Sequence, residues 1–134
     1  MKIASWNVNS LNVRLPHLEQ WLQDAQPDVV GLQETKLEDN RFPDAVRAGL
    51  GYRSVFAGQK TYSGVALLAR GHALDDVQIG IPDYDDAQRR AIAATVSIRS
   101  ASDIGAPTTC RPCGISVYSS SRIALVKLLM REAA

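Results

Sequence analysis

The sequence predicts an α/β domain (α+β in some schemes) built on a mixed β-sheet with helices on a face. Two observations predict it. Residues 1–34 read strand, helix, strand, the pattern of a crossover between parallel strands. Four further short apolar runs then follow at close spacing.

Each element has its own signal. Residues 2–9 form a strand candidate in which Ile3, Ala4, Trp6 and Val8 put apolar groups on both faces. Residues 14–25 carry Leu15, Leu18 and Leu22 at helical spacing, with Trp21 beside them. Pro16 suits a first turn there, and Pro27 ends the helix. Trp6 and Trp21 read as core. Residues 28–33 are a second apolar strand, closed by Glu34. A polar loop spans 35–41, and a short helix over 43–50 ends at Gly51. Residues 52–57 and 64–70 read as strands joined by a loop over 58–63. A weaker strand over 76–81 stops at Pro82, and 90–98 reads as the next strand through Ile92, Ala94 and Val96.

Composition bounds the function. The 134 residues are 46% hydrophobic and 22% charged, with a net charge of +1, which describes one ordinary globular domain. No apolar run is long enough to span a membrane, and the N-terminus turns polar too early for a signal peptide. A strongly basic nucleic-acid binder is excluded, although a local basic patch is not. Two cysteines, Cys110 and Cys113, give no disulfide framework and fit a cytoplasmic setting.

Two polar residues sit where burial is costly. Asn7 lies inside the first strand and Glu34 closes the second. If these strands are parallel neighbours, both side chains reach one crevice at the carboxyl edge of the sheet, the usual ligand position in such folds. One carboxylate with an amide carbonyl suits Mg²⁺, which keeps several waters and binds few protein ligands. The plainer alternative is that Asn7 forms a turn and Glu34 caps the next segment.

The run Lys2-Ile3-Ala4-Ser5-Trp6-Asn7-Val8-Asn9-Ser10-Leu11 is followed by Gln26-Pro27-Asp28-Val29-Val30-Gly31-Leu32-Gln33-Glu34-Thr35-Lys36. Leu50-Gly51-Tyr52, then Gly58-Gln59-Lys60 with Ser63–Leu68, then Ala87-Gln88-Arg89-Arg90-Ala91-Ile92 come after in order. Together these resemble the abasic-site (exodeoxyribonuclease III) branch of the endonuclease/exonuclease/phosphatase family, its N-terminal half only. The resemblance implies a DNase I-like two-sheet sandwich flanked by helices. It implies Asn7 and Glu34 as catalytic and metal-side residues, with Mg²⁺ as cofactor and Mn²⁺ as the alternative. It implies hydrolysis of phosphodiesters in duplex DNA, at abasic sites and from 3′ ends, by a monomer. Lys36, Lys60, Arg89 and Arg90 become the candidate DNA phosphate contacts, against the alternative that each is a solvated surface charge. Tyr62 and Tyr84 are candidates for stacking on DNA, with packing as the more ordinary role. His17 and His72 read as ordinary surface or half-buried residues. Ser10 stands where the family more usually has glycine.

From about residue 97 the texture changes. Residues 1–96 hold ten basic and twelve acidic side chains, whereas 97–134 hold five and two, with seven of the eleven serines. The family's later Gly-Asp-x-Asn and Ser-Asp-His runs have no counterpart here. The sequence therefore divides into a nuclease-like part, 1–96, and a divergent tail, 97–134, read as an out-of-frame or non-native continuation, against a real short extension. Within the tail, 122–132 has the apolar pattern of one amphipathic helix. Cys110-Arg111-Pro112-Cys113 is half a zinc site at most. A chain carrying mainly the first half of a sandwich is expected to leave Val65, Leu67 and Ile92 uncovered and to be impaired as an enzyme.

Overall fold

A computed structural model describes residues 2–43, 46, 49–85, 87–97, 115–120 and 123–129. They form β1 (Ile3–Asn7), α1 (Leu11–Ala25), β2 (Val29–Gln33), β3 (Tyr52–Ala57), β4 (Val65–Arg70), β5 (Ala73–Ile79), β6 (Ala91–Ser97), β7 (Ile115–Ser120) and β8 (Ile123–Leu129), with a 3-10 turn at Asp39–Arg41. Much of the expected 43–50 helix and the Cys110–Cys113 motif lie outside the described residues.

The strands make two four-stranded sheets, not one mixed sheet. The first has the order β1-β2-β4-β3, with β1 and β2 parallel and the other pairs antiparallel. The second, β5-β6-β8-β7, is antiparallel throughout. The split has a simple cause. Strand β4 is hydrogen-bonded on both edges, to β2 and β3, so β5 finds no edge there and starts a second sheet. The DNase I-like sandwich implied by the resemblance is therefore the architecture found.

Period-two alternation in β2 and β4 fills both sides of the first sheet. Val29, Val65, Leu67 and Ala69 face Ile92, Ala94 and Val96 of β6. Val30, Leu32, Ala66 and Leu68 face α1, which contributes Leu11, Leu18 and Leu22. Val65 and Leu67 are fully buried and Ile92 is 1% exposed, which corrects the expectation that they lie bare. The second sheet supplies the cover.

Other expectations are corrected too. Residues 123–129 form a strand rather than a helix. A seven-residue run with six apolar residues around Lys127 fits either period, and the open edge of β6 decides it by offering a ladder in which Ala94 pairs Val126. Trp6 and Trp21 pack against the core but stay half-buried, Trp6 because β1 is an edge strand among the described residues and Trp21 because it lies beside Trp6 on α1. They meet edge to face, with ring centroids 5.9 Å apart. Helix α1 begins at Leu11, so Pro16 lies past its first turn and leaves the Asn12 carbonyl without its usual i+4 donor.

The ends of the first sheet opposite the Asn7–Glu34 edge are tied together by Asp28. The Lys2 amide donates to Asp28 Oδ2 at 2.6 Å, and Arg70 Nη2 lies 3.4 Å from Oδ1. The Tyr52 hydroxyl donates to the Pro27 carbonyl at 2.7 Å, joining β3 to the start of β2. Partial burial raises the Asp28 pKa, but the Lys2 amide and the Arg70 hydrogen bond and charge outweigh it and hold the carboxyl below its ordinary value. Burial pushes the Tyr52 phenol up, against the pull of Arg70.

Two outcomes are expected. Ile92→Ala should cost about 2–4 kcal/mol in chemical denaturation, since it opens a cavity between the sheets. Because the folded Asp28 pKa is depressed, its contribution is complete above the ordinary carboxylate range and is lost as pH falls through the lowered value. Asp28→Asn should therefore be less stable than the parent at neutral pH, and urea midpoints should converge on acidification.

Candidate active site

The parallel register pairs Asn7 with Gln33, so the carboxyl ends of β1 and β2 lie side by side. Beyond the strands the two segments stay bonded. The Val8 amide donates to the Gln33 carbonyl at 3.0 Å, Ser10 to Glu34 at 2.8 Å, and Leu11 to Thr35 at 2.9 Å.

Keeping those bonds requires unusual backbone. Asn9, Ser10, Glu34, Lys36 and Ser63 have φ of 42°, 93°, 52°, 53° and 55°. Left-handed conformations cost L-residues about 1 kcal/mol or more, and they persist where surrounding bonds over-determine them. Such strain gathers at functional sites. Ser10 is the extreme case, with a backbone that glycine would adopt freely.

The strain aims side chains at one another. Asn7 Nδ2 donates to Glu34 Oε1 at 2.9 Å, and Asn7 Oδ1 accepts the Asn9 amide at 3.0 Å. Lys36 Nζ donates to Asn9 Oδ1 at 2.5 Å and lies 3.5 Å from Glu34 Oε2. Glu34 is thus gripped on one oxygen by an amide and approached on the other by an ammonium.

A third segment braces this edge. The Thr35 amide donates to the Gly64 carbonyl at 3.1 Å and the Lys36 amide to Ser63 at 3.0 Å, while the Gly64 amide donates to Arg89 at 3.0 Å. A Cβ on Gly64 would lie 2.3 Å from Thr35 Oγ1, so no side chain fits. This brings the loop over 58–63, with Lys60 exposed, and the segment leading into β6 to the same rim. The Arg89 guanidinium lies 3.5 Å from Asp39 across the surface, and its amide is held by Gln59 Oε1 at 3.0 Å. Arg90 is half-buried at the foot of β6.

Asn7, Glu34 and Lys36 are therefore in direct side-chain contact. Lys60 and Arg89 lie on neighbouring segments that reach this rim through backbone hydrogen bonds, and Arg90 follows Arg89 into β6. Tyr62 and Tyr84 are 68% and 59% exposed, so packing does not account for either ring. His17 is exposed, and His72 is half-buried with Nδ1 lacking a partner.

Sequence reading passed over the open cavity of about 580 Å³ beside Asn7. Asn9, Arg14, His17, Trp6 and Trp21 share its lining. A signal existed, because Arg14, His17 and Trp21 recur at i, i+3 and i+7 and so share a helix face.

Among the described residues no three His, Cys, Asp or Glu side chains cluster as a metal cage. A cation that keeps most of its waters needs less. Glu34 Oε2, the oxygen that Asn7 leaves, gives a hard anionic ligand, and the chemistry of this donor set fits Mg²⁺.

Two packed sheets, with a polar crevice at the carboxyl edge of the parallel β1–β2 pair, make the DNase I-like sandwich that the solved relatives below share. The profile of the Endonuclease/Exonuclease/phosphatase family matches residues 4–131, and the chain belongs to that family. The match runs past residue 97, where composition changes. Exodeoxyribonuclease III of Haemophilus influenzae is 43% identical over 95 residues, covering 70% of this chain and 35% of that protein. A Neisseria 3′ phosphatase solved with a product DNA hairpin superposes with a TM-score of 0.69 at 53% identity, over 72% of this chain and 38% of that one. An AP endonuclease from Archaeoglobus fulgidus gives 0.68 at 38% identity, over 72% and 37%. The chain thus spans a little over a third of the length of these relatives.

Ser10→Gly should stabilise the chain by about 1 kcal/mol, seen as a Tm rise of a few degrees, because it removes left-handed strain. Gly64→Ala should destabilise it by about 2 kcal/mol or more through clash and strain together.

Proposed function

We propose that this chain is part of a Mg²⁺-dependent DNA repair nuclease that hydrolyses phosphodiesters in duplex DNA at abasic sites and 3′ ends. The observation that carries the reading is the Asn7–Glu34 contact, held on strained backbone at the sheet's carboxyl edge. The names of relatives support it: an exodeoxyribonuclease III, an AP endonuclease and a phosphatase bound to DNA.

In this reading Glu34 holds the cation and Asn7 orients the carboxylate. Bound there, Mg²⁺, or Mn²⁺ in its place, would supply positive charge to a phosphoryl oxygen. Lys60, Arg89 and Arg90 neutralise flanking phosphates, and Lys36 reaches the phosphate nearest Glu34. Contacts of this kind set affinity and register without reading sequence. Tyr62, exposed two residues beyond Lys60, offers a ring to the sugar-phosphate edge. The setting is cytoplasmic.

The 134 residues contain no Asp-x-Asn and no Asp-His pair. That observation favours a second reading for the chain by itself, a DNA-binding unit that cleaves poorly, since members of a catalytic set do not act singly. Composition supports the related proposal that the nuclease unit proper is 1–96 and that 97–134 is a divergent tail.

Incubation with abasic duplex DNA and Mg²⁺ tests both. The chain should bind DNA with an affinity that falls steeply with salt, and should cut at a rate at least about a hundredfold below a complete relative. Glu34→Gln should abolish whatever Mg²⁺-dependent cutting is present and leave salt-sensitive binding in place. Absence of DNA binding at low salt would remove both readings.

A further inference from the structure

Lys36 Nζ lies between Asn9 Oδ1 and Glu34 Oε2, at 2.5 and 3.5 Å. It faces the carboxylate oxygen that Asn7 does not take. Its position follows from the backbone. Glu34 and Lys36 both have left-handed φ, 52° and 53°, with the buried Thr35 between them. Bonds from Ser10 to Glu34 and from Lys36 to Ser63 hold that segment still. The ammonium is placed over the carboxylate by the fold rather than by chance encounter of two surface charges, and both side chains are about three-quarters buried, at 28% and 24% exposure.

We infer that Lys36 is a positioning residue acting as a built-in counter-cation on Glu34, which a divalent ion must displace to bind. The inference rests on the reading of Glu34 as the metal-side carboxylate and deepens it. An ammonium is a compact point charge on a flexible four-carbon stem, so it can leave Glu34 without disturbing the backbone. While it stays, it meets an incoming divalent cation with like charge a few ångströms away. In a half-screened setting that repulsion amounts to roughly a tenfold loss of divalent affinity. Once displaced, the same ammonium is released toward a DNA phosphate beside the metal. Lys36 thus ties phosphate contact to metal loading.

Mn²⁺ binding to the full chain, read by electron paramagnetic resonance without DNA, tests this apart from any activity. Lys36→Met should bind Mn²⁺ about tenfold more tightly than the parent. Lys36→Arg, which keeps the charge, should return affinity toward the parent value, and circular dichroism should show all three equally folded. Equal or weaker binding by Lys36→Met would overturn the inference, since a lysine that merely braces the loop loosens the site when removed. Glu34→Gln separates this failure from failure of the metal reading. If Glu34→Gln leaves parental Mn²⁺ affinity unchanged, Glu34 is not the ligand and both fall. If Glu34→Gln abolishes binding and Lys36→Met does not tighten it, only the role of Lys36 falls.

Discussion

The register of one parallel strand pair is the constraint on which the site depends. Pairing Ile3 with Val29 and Asn7 with Gln33 puts Asn7 within reach of Glu34. A slip of one residue would turn every β1 side chain to the other face and part the two. Parallel pairs have no tight turn to fix their register, so it must be set elsewhere. Here Asp28 sets it at the opposite end of the strands. Lys2 donates its amide to the Asp28 carboxylate and accepts the Asp28 amide on its carbonyl, at 2.6 and 2.8 Å. Arg70 draws the end of β4 into the same knot.

The sandwich gives that pairing its rigidity. Strand β2 is buried on both faces, by α1 on one side and β6 on the other. Close packing of this kind resists small displacements. The left-handed turns at Asn9, Ser10, Glu34 and Lys36 can then be held against their cost. Strain at the carboxyl edge and burial in the centre are two parts of one arrangement, the first directing side chains and the second keeping them directed.

Much of this was legible in the chain. The opening strand-helix-strand, the apolar runs of β2 and β4, and the pairing of Asn7 with Glu34 all follow from spacing and from the parallel rule. Three features do not follow from spacing. The division into two sheets depends on which edges remain open after β4 pairs twice, and no local pattern records that, so only the family resemblance implied the sandwich. The strand at Ile123–Leu129 has a run too short to separate helix from strand by period, and its partner, β6, lies about thirty residues upstream. The half-exposure of Trp6, and of Trp21 packed against it from α1, reflects the edge position of β1, which hydropathy does not carry. At the site, Lys36 was legible as a charge near phosphate but not as a partner of Glu34. The sign of φ at both residues makes that contact, and sequence signals positive φ well only at glycine. Ser10 was the partial exception, since it stands where glycine is usual and has a glycine-like φ.

The central claim, that β1 and β2 bring one cation-binding edge together, is tested most directly by paramagnetic broadening of amide NMR signals with trace Mn²⁺. The expected result is joint loss of the Asn7, Asn9, Ser10, Thr35 and Lys36 resonances, with those of Arg53 and Gly71 at the far end of the sheet unaffected. Broadening that centres away from this edge, or that strikes the two segments separately, would contradict it.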